Sequence, residues 1–559
     1  MNHLYFGDNL DILREHIQME SVDLIYLDPP FNSKRDYNLL FKRPNGHESD
    51  AQITAFDDTW HWGKQAEREF DEIMRQPNTQ VAEMMQAFRQ FLGVNDMMAY
   101  LVMMANRLLE LHRVLKPTGS LYLHCDPTAS HYLKVVLDGV FYNVGYRTEI
   151  SWKRSSAHSD AKQGRRQYGN IRDIVFFYTK SAEWTWNWLY TPYDKEYLDG
   201  MYRHVEEETG RRYRLDNLTA AKPGGDTLYE WHGVKPYKGR YWAYSRAKME
   251  QFEKDGRLVY SKSGMPNYKR YLDEMPGVPL QNDWQDIHPA SGKEYLGYPT
   301  QKPLALLERI IQTSSNEGDI VLDPFCGCGT AVHAAEKLKR HWIGIDITHL
   351  AVSLIEKRMR DAFPGIQFEV HGTPRDLDGA KNLAERDKYQ FQWWACSLVN
   401  AQPYQGRKKG ADSGIDGLLY FTDGATTDKH KVAENQEPYD ETPPTTVHKK
   451  IIVSVKGGEH VNVSMIRDLA HVVDREKAEI GLFVTMVEPS RPMIAEAVAA
   501  GYYSSPCFPD KEYPKLQILT IGGLLEGNER PLFPDLSGGG LTFKKAATEH
   551  SQTKQKKLF

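Results

Sequence analysis

Short apolar runs alternate with helical patterns along the first 150 residues of the chain. Val22–Leu27 is an apolar run suited to a buried strand, and Asn2–Gly7 and Ser120–His124 have the same character. Apolar residues recur at helical spacing from Met97 to Leu111. Because strands that alternate with helices form parallel sheets with helices on their faces, this half of the chain predicts an α/β fold.

The same alternation returns after residue 300. Ile320–Leu322 and Trp342–Ile345 read as strands, and Ala331–Leu338 between them reads as a helix. The intervening residues 181–296 are irregular and rich in Trp, Tyr, Gly, Lys and Arg. Aromatic side chains mixed with basic ones suit base stacking and backbone contacts on a nucleic acid. The pattern therefore predicts one α/β sheet interrupted by a long insertion.

The first predicted strand ends on Asp28-Pro29-Pro30-Phe31. Two prolines remove two backbone donors and hold an extended turn at the carboxyl end of a strand, where open α/β sheets bind ligands. We interpret this turn as a pocket for a flat base that carries an amino group. Asp28 and the Pro29 carbonyl would accept the amino hydrogens, and Phe31 would stack on the ring. A proline turn capped by Asp is the alternative interpretation.

A second turn joins the strand and helix after residue 319. It reads Asp323-Pro324-Phe325-Cys326-Gly327-Cys328-Gly329-Thr330, and Asp346 ends the next strand. Glycines allow a close backbone approach to a ligand, and an acid at this distance can hold ribose hydroxyls. The full G-x-G-x-x-G pattern is absent, so a nucleoside without phosphates, such as S-adenosylmethionine, fits better than a dinucleotide.

Three motifs together resemble the β-class amino-group DNA methyltransferases: DPPF, then GYPTQKP at residues 297–303, then DPFCGCGT. The resemblance implies a Rossmann-like sheet, S-adenosylmethionine as methyl donor, and adenine N6 or cytosine N4 as acceptor, with DPP leaning toward adenine. It implies catalytic roles for the DPPF residues. The implied cofactor contacts are Asp8, Gln301, Lys302, Asp323, Phe325, Gly327, Gly329, Thr330 and Asp346. A plain N-cap remains an equal interpretation of Asp8.

Composition describes an ordinary globular protein of several domains. The chain has 559 residues, 40% hydrophobic and 26% charged, with a net charge of −5. We expect neither a membrane span nor a signal peptide, and five scattered cysteines favour a reducing cytoplasm. Since the global charge is negative, any nucleic-acid surface must be local.

One segment is positively charged although the net charge of the whole chain is negative. Ser151–Lys180 holds seven basic and two acidic residues. The proposed DNA contacts in it are Lys153, Arg154, Arg165, Arg166 and Arg172. A solvated basic loop is the alternative.

A second unit begins near Lys388. Asp416 precedes the strand Leu418–Phe421, and Ile451–Lys456 is another strand. This arrangement resembles the restriction-endonuclease-like fold of the Mrr type, in which an Asp and an (E/Q)-x-K strand bind Mg²⁺ and orient water. Asp416 and Lys456 match, whereas Ser454 stands at the E/Q position. Cleavage with Mg²⁺ on Asp416 and a non-catalytic DNA-binding domain both stay open.

The sequence thus predicts an α/β protein with four parts. They are a Rossmann-like methyltransferase domain at 1–370 with a target-recognition insertion at about 181–296, a linker at 371–387, a restriction-endonuclease-like α/β domain at 388–535 and a flexible tail at 536–559. The predicted function is site-specific adenine-N6 methylation of double-stranded DNA in a restriction-modification or phage-defence system. Cytosine-N4 methylation is the alternative activity, and a homodimer is left open.

Overall fold

The computed structural model describes residues 1–30, 36–42, 48–57, 62–156, 166, 168–222, 224, 227–292, 294–296, 298, 300–404, 414–426, 445–534 and 546–549. They fall into two compact units. One unit comprises Met1–Asn187 and Asn282–His550, and the other is built on Trp188–Gln281. None of the helices in these ranges is long and apolar enough to cross a bilayer.

The amino-terminal part of the first unit supplies seven strands and five helices. They are β1 (His3–Phe6), α1 (Asn9–His16), β2 (Val22–Leu27), β3 (Asp36–Lys42), β4 (Glu48–Asp57), α2 (Lys64–Met74), α3 (Thr79–Leu92), α4 (Asp96–Val114), β5 (Leu115–Cys125), α5 (Ser130–Gly145), β6 (Tyr146–Lys153) and β7 (Arg172–Thr179).

The second unit consists of short strands and two helices. They are β8 (Tyr190–Thr191), α6 (Lys195–Met201), β9 (His204–Val205), β10 (Arg212–Asn217), β11 (Thr219–Ala220), β12 (Tyr241–Trp242), α7 (Arg246–Lys254), β13 (Leu258–Tyr260), β14 (Pro266–Tyr271), a 3₁₀ turn at Leu272–Glu274 and β15 (Val278–Pro279). Its own core contains Leu218, Trp231, Trp242, Met249 and Phe252. The predicted irregular insertion therefore has a small hydrophobic core of its own.

The chain then returns to the first unit. The elements there are β16 (Asp283–Trp284), α8 (Leu304–Ser314), β17 (Ile320–Asp323), α9 (Thr330–Lys337), β18 (His341–Asp346), α10 (His349–Ala362) and β19 (Glu369–His371).

These strands complete a nine-stranded sheet in the order β16-β6-β7-β5-β2-β17-β18-β1-β19. The strands from β5 to β19 in that order are parallel to their neighbours, as the alternation of strands and helices predicted. β7 runs antiparallel to both β5 and β6, so the sheet is mixed.

Both faces of the central strands are covered. In β2, Ile25 and Leu27 belong to the core formed with α1 to α5, whereas Leu24 and Tyr26 face the core formed with α8, α9 and α10. A strand buried on both faces needs apolar residues at nearly every position. This explains why the strand appears in the sequence as an apolar run interrupted only by Asp23, which is half-buried.

The carboxyl-terminal part adds a second sheet to the first unit. Its elements are α11 (Leu377–Arg386), α12 (Lys388–Leu398), β20 (Gln402–Pro403), β21 (Gly417–Thr426), β22 (Thr445–Lys456), α13 (Val463–Arg475), β23 (Ile480–Thr485), α14 (Arg491–Ala499), β24 (Tyr502–Ser504), β25 (Glu512–Pro514), β26 (Leu516–Thr520) and α15 (Ile521–Glu526). The sheet has the order β20-β21-β22-β23-β26. β22, β23 and β26 are parallel, and β20 and β21 are antiparallel to their neighbours.

Two segments differ from what polarity alone suggested. The segment predicted as a linker holds α11, whose Ala380 and Leu383 are buried against α12. Within the tail predicted to be flexible, the described residues 546–549 pack on the first sheet's helices. Glu549 accepts a hydrogen bond from the Nε2 of His333 at 3.1 Å, and its backbone N–H donates to Ala362 at 2.9 Å. The polar composition of these segments suggested exposure to solvent, but some of their polar groups form hydrogen bonds with other elements of the fold.

Candidate functional site

Strand register brings the two predicted turns together. Ile25 pairs with Leu322, and Asp323 pairs with Gly344. Because these strands are parallel, their carboxyl ends meet at one edge of the sheet. The turn after Leu27 and the turn after Asp323 are therefore neighbours, although almost 300 residues separate them in the sequence.

A cavity of about 430 Å³ opens at this edge. Ten of the predicted site residues line it: Asp8, Asp28, Pro29, Pro30, Lys302, Asp323, Phe325, Gly327, Thr330 and Asp346. Phe31 lies outside the described residues. The structure thus places the predicted base pocket and the predicted cofactor turn on one cavity.

Asp28 is held from one side only. Lys302, which precedes α8, forms an ion pair with the Oδ2 of Asp28. The other oxygen, Oδ1, is buried and accepts no hydrogen bond from any described residue. A buried carboxylate oxygen without a donor is costly, so it is usually satisfied by a ligand or water. The sequence placed Lys302 near a cofactor carboxylate and gave no sign of this pairing with Asp28.

The cofactor turn is built around glycines with positive φ. Gly327 has a φ of +52° and Gly329 has a φ of +73°, which L side chains adopt only with strain. A Cβ at Gly329 would lie 2.8 Å from Ile355 of α10, so close packing of that helix also requires a glycine. A side chain at Gly329 would therefore be directed toward α10.

Asp346 ties this turn to the next strand. Its Oδ2 accepts the Gly327 N–H at 2.9 Å, and its Oδ1 accepts the Thr348 N–H at 2.9 Å and its hydroxyl at 3.0 Å. Burial raises the pKa of Asp346 to about 6. Burial, together with the charges of Asp28 and Asp346, raises the pKa of Asp323 to about 8. The cavity therefore contains two carboxyl groups that favour a neutral form or a cationic ligand.

Asp8 caps a helix and also lines the cavity, so its predicted contact with the cofactor stays a prediction. Its Oδ1 caps α1 by accepting the Leu10 N–H at 2.8 Å, and its side chain lines the cavity. Arg107 of α4 donates to both Asp8 oxygens at 2.8 and 3.0 Å and to Asn9 at 2.6 Å. Sequence reasoning missed Arg107, although an arginine between the apolar residues Met104 and Leu108 of this helix was the available signal.

Gln301 is not part of the cavity lining. Its Nε2 donates to the Glu294 carbonyl at 2.7 Å, and its Oε1 accepts the Leu296 N–H at 2.8 Å. Both ends of the amide therefore fix the segment before α8. The amide of Gln301 thus holds local structure, and the predicted contact between Gln301 and the cofactor stays a prediction.

The predicted basic segment is partly paired. Arg154 lies 3.3 Å from Asp173, and Arg172 forms an ion pair with Asp283 and a 3.1 Å hydrogen bond to Ser151. Lys153 is half-buried and Arg166 is exposed, whereas Arg165 lies outside the described residues. Some of the predicted cations therefore hold β6, β7 and β16 together.

The second predicted site is a compact cluster on β22. Gln392 of α12 donates to the Oδ1 of Asp416 at 2.6 Å, and the Val455 N–H donates to its Oδ2 at 2.7 Å. The Ser454 hydroxyl lies 3.4 Å and the Lys456 ammonium 3.9 Å from the same Oδ2. The three predicted residues do come together, and Gln392, which the sequence did not indicate, joins them.

A metal site at Asp416 has little support in this geometry. Among the described residues, the side chains close enough to share a metal ion are His3, Glu369 and His371, which are partly exposed on β1 and β19. Within the described ranges, Asp416 belongs to no group of three or more His, Cys, Asp or Glu side chains that lie this close together. The residues around Asp416 therefore do not form the set of oxygen ligands that Mg²⁺ prefers.

Helix α12 also contacts the cofactor turn. The Oε1 of Gln390 accepts the His349 N–H at the start of α10 at 3.2 Å. Trp393 packs with Tyr298, Cys328 and Leu350, and Tyr298 itself lines the cavity. One helix thus touches both predicted sites.

Comparison with known proteins identifies the family. A family model described as N6/N4 DNA methylase matches residues 22–357, which is more than half of the chain. The chain belongs to the N6/N4 DNA methylase family. The matched range includes both turns of the cavity and ends before Asp416.

Individual relatives of this N6/N4 DNA methylase are distant. It is 28% identical over 363 residues to the type II methyltransferase M.EcaI of Enterobacter cloacae, covering 64% of this chain and 69% of that protein. It is 28% identical over 351 residues to the Mod subunit of the type III restriction-modification enzyme StyLTI of Salmonella typhimurium. This match covers 59% of this chain and 49% of that protein. It is 24% identical over 353 residues to the DNA adenine methyltransferase YhdJ of Escherichia coli. This match covers 63% of this chain and 81% of that protein.

Proposed function

We propose that this N6/N4 DNA methylase transfers a methyl group from S-adenosylmethionine to the N6 of adenine in double-stranded DNA. The observation that carries this proposal is the buried Oδ1 of Asp28, which accepts no hydrogen bond from the described residues and belongs to a side chain at the cavity. An exocyclic amino group supplies the missing donor. The Pro29 carbonyl is the second acceptor in this arrangement.

The ion pair with Lys302 explains why Oδ1 is the Asp28 oxygen left for a ligand. The ammonium holds Oδ2 and thereby fixes the carboxylate, so Oδ1 keeps its orientation toward the cavity. When the base amino group donates to Oδ1, electron density moves onto its nitrogen, and the lone pair becomes more nucleophilic. Groups that are already oriented before reaction stabilise developing charge without reorganising.

S-adenosylmethionine, when bound, would supply an electrophilic methyl group to the amino nitrogen, and the proton that this nitrogen then loses would pass to solvent. Gly327, Phe325 and Thr330 line the part of the cavity that would hold it, with Asp346 available to ribose hydroxyls. The raised pKa values of Asp323 and Asp346 fit a cationic ligand, because a nearby positive charge would favour their ionised forms.

DNA binding follows from the position of the reacting atom. Adenine N6 is hydrogen-bonded inside a duplex, so the base must be extruded before Asp28 can reach it. Phe31 would then stack on the extruded ring. Lys153, Arg154, Arg165, Arg166 and Arg172 remain the proposed phosphate contacts. The compact unit built on Trp188–Gln281 is the proposed target-recognition region.

Cytosine-N4 methylation is the alternative, because Asp28 can accept from either amino group and the family includes both activities. The preference for adenine rests on the DPPF motif and on the resemblance to an adenine methyltransferase. A restriction-modification role fits a relative that carries that name.

We further propose that the carboxyl-terminal sheet is a restriction-endonuclease-like module that binds DNA without cutting it. Ser454 stands where a metal ligand is expected, and both Asp416 oxygens already accept short hydrogen bonds from protein groups. These contacts favour the non-catalytic alternative. Binding would then keep the enzyme on its substrate through a second surface.

The deciding experiment identifies the methylated base. Unmethylated bacterial DNA is incubated with the protein and S-adenosylmethionine, hydrolysed to nucleosides and analysed by mass spectrometry. We expect N6-methyladenine, and none from the Asp28→Ala variant. N4-methylcytosine would establish the alternative, and full activity of Asp28→Ala would refute the assigned role of the pocket. Sequencing the same DNA maps the recognition site.

A further inference from the structure

Two histidines and a glutamate meet at the edge of the main sheet. The Nδ1 of His3, on β1, lies 3.1 Å from the Nε2 of His371, on β19. The Oε2 of Glu369, also on β19, lies 3.6 Å from that Nδ1 and 3.5 Å from that Nε2. The three atoms therefore form one nearly equilateral triangle. His3 and His371 are half-buried and Glu369 is exposed, so solvent can reach the triangle.

The register of the two strands creates this arrangement. In the parallel pair of β1 and β19, His3 pairs with Glu369 and Tyr5 pairs with His371. Residues two apart on a strand share a face of the sheet, so all four side chains lie on the same face. Tyr5 also stacks on the His371 ring, with centroids 4.5 Å apart and planes at 18°. Strand pairing and stacking thus hold the three polar atoms close together.

Hydrogen bonding accounts for only one side of the triangle. An imidazole N–H that donates to the other imidazole explains the 3.1 Å distance. The distances of 3.5 and 3.6 Å to the carboxylate exceed the usual range of about 2.7 to 3.2 Å for an N–H···O hydrogen bond. A tetrahedral Zn²⁺ ion holds such ligands at about 2.1 Å, which separates neighbouring ligand atoms by about 3.4 Å. One bound ion therefore accounts for all three distances.

We propose that His3, Glu369 and His371 bind a divalent transition-metal ion of the zinc class, and that this ion fastens β19 to β1. Three protein ligands leave the fourth tetrahedral position to water. Mg²⁺ and Ca²⁺ prefer oxygen ligands, so two imidazoles select against them. β19 is three residues long and lies last in the sheet, beside β1. An ion bound to both strands stabilises such a short strand because it adds bonds across the pair.

This metal site lies at the opposite end of β1 from the cavity. His3 begins β1, whereas Gly7 and Asp8 follow the strand and line the cavity. The metal ligands are therefore separate from the groups assigned to methyl transfer. The proposal does not depend on that reaction, and its test measures binding and local stability.

A zinc titration of the full-length, untagged protein tests the site after a chelator has removed bound metal. Calorimetry should give one Zn²⁺ per chain, with no displacement by excess Mg²⁺. His3→Asn, His371→Asn and Glu369→Gln should each weaken zinc affinity about 100-fold or more, since loss of a mere outer partner already costs about 10- to 100-fold. Glu369→Gln keeps the size of an exposed side chain, so it tests the site without disturbing the core.

Two matched controls exclude binding elsewhere. His232 is exposed and lies 3.0 Å from Glu253, so it forms a histidine–carboxylate pair outside the triangle. His232 has a φ of +46°, which asparagine tolerates, and His232→Asn is therefore a suitable control. Cys507 is an exposed thiol, and Cys507→Ser tests whether it holds the ion. Both variants should keep one Zn²⁺ per chain with affinity within about twofold of the wild type.

Hydrogen–deuterium exchange locates the stabilisation. Saturating Zn²⁺ should slow amide exchange in the peptide that contains β19 of the wild type, because the ion holds this strand on β1. The melting temperature should rise by about 2 to 4 °C. Glu369→Gln should show neither change with the same amount of Zn²⁺.

Several results would overturn the inference. They are the absence of zinc binding by the wild type, unchanged affinity in Glu369→Gln or His371→Asn, or loss of binding in Cys507→Ser. A loss confined to His3→Asn would place the ion on His3 and the backbone before it, and would contradict a site shared with β19. Zinc binding that leaves the exchange of the β19 peptide unchanged would refute the proposed link between the two strands.

Discussion

Asp28 and Asp416 occupy similar local settings, and their surroundings differ in one respect. Each lies at a strand end beside a lysine, Lys302 in one case and Lys456 in the other. Asp28 lines a cavity of about 430 Å³, and one of its buried oxygens has no hydrogen-bond donor in the part of the chain that the structure describes. Asp416 has both oxygens bound by protein groups within 2.7 Å. An acid next to a lysine is therefore weak evidence for a reaction unless an acceptor atom remains available to a substrate.

Gln392 largely accounts for this difference. It extends from α12 and donates to the Asp416 oxygen that would otherwise be available to a ligand. No comparable side chain reaches the Oδ1 of Asp28 within the described ranges. The same α12 packs on the cofactor turn through Trp393. We infer that this helix stabilises both regions but satisfies the carboxylate of only one.

The largest expected effect comes from matched substitutions of the two acids. Asp28→Asn should lower the rate of methyl transfer about 100- to 1000-fold, because an amide presents a donor or a weaker acceptor to the base amino group. Asp416→Asn should leave that rate within about twofold of the wild type. Radiolabelled methyl transfer under single turnover measures both. Equal losses in the two variants would remove the basis of the comparison.

Asp346 should show a smaller effect that is confined to cofactor binding. Asp346→Asn removes a charged acceptor from the cavity, so we expect the affinity for S-adenosylmethionine to fall about 10- to 100-fold. Asp416→Asn is the matched control and should bind the cofactor normally. Isothermal titration calorimetry gives both constants. Unchanged affinity in Asp346→Asn would show that the carboxylate serves only the turn made with Gly327 and Thr348.

The raised pKa of Asp323 predicts a moderate effect of pH on stability. The usual value is 3.8 and the folded value is about 8, so between these pH values the folded protein holds a proton that the unfolded chain has released. The free energy of unfolding should therefore fall as the pH rises from about 4 to about 8. Asp323→Asn should flatten the decline in melting temperature between about pH 6.5 and 8, measured without cofactor. A parallel decline in both proteins would contradict the assignment.

Cleavage of DNA should be absent altogether. Wild-type protein with Mg²⁺ and unmethylated DNA, with or without S-adenosylmethionine, is expected to leave the DNA intact on a gel. Among the described residues, Asp416 is not part of any group of three or more potential metal ligands, and Mg²⁺ sites in proteins commonly rely on several oxygen ligands. Cleavage that disappears in Lys456→Ala would show that Asp416 becomes available to a metal when DNA binds.

The sequence predicted the elements of the main sheet because each strand carries its own signal. β2 was predicted at Val22–Leu27 and has those bounds, since burial on both faces requires apolar residues at nearly every position and only Asp23 interrupts them. The turns were equally visible. Gly327 and Gly329 mark positive φ angles, and the two prolines after Asp28 mark a stiff turn.

Pairings between distant side chains were not visible in the sequence. Lys302 bound to Asp28, Arg107 bound to Asp8 and Gln392 bound to Asp416 each join residues that are far apart in the chain or on different elements. The polar composition of α11 and of the segment around Glu549 led to the prediction of a linker and a flexible tail. A polar residue suggests exposure to solvent unless its hydrogen-bond partner in the fold is known.

By itself, the sequence determined which residues have the chemistry for a binding site. It showed two turns that contain aspartates, the glycines of the second turn, and the order of the two turns along the chain. Those features are local, since they depend on the φ angles and burial pattern of neighbouring residues. Only the tertiary structure decided which carboxylate oxygen is available to a substrate. That availability depends on whether a donor from another element reaches the oxygen, which is a property of the packing between helices and strands.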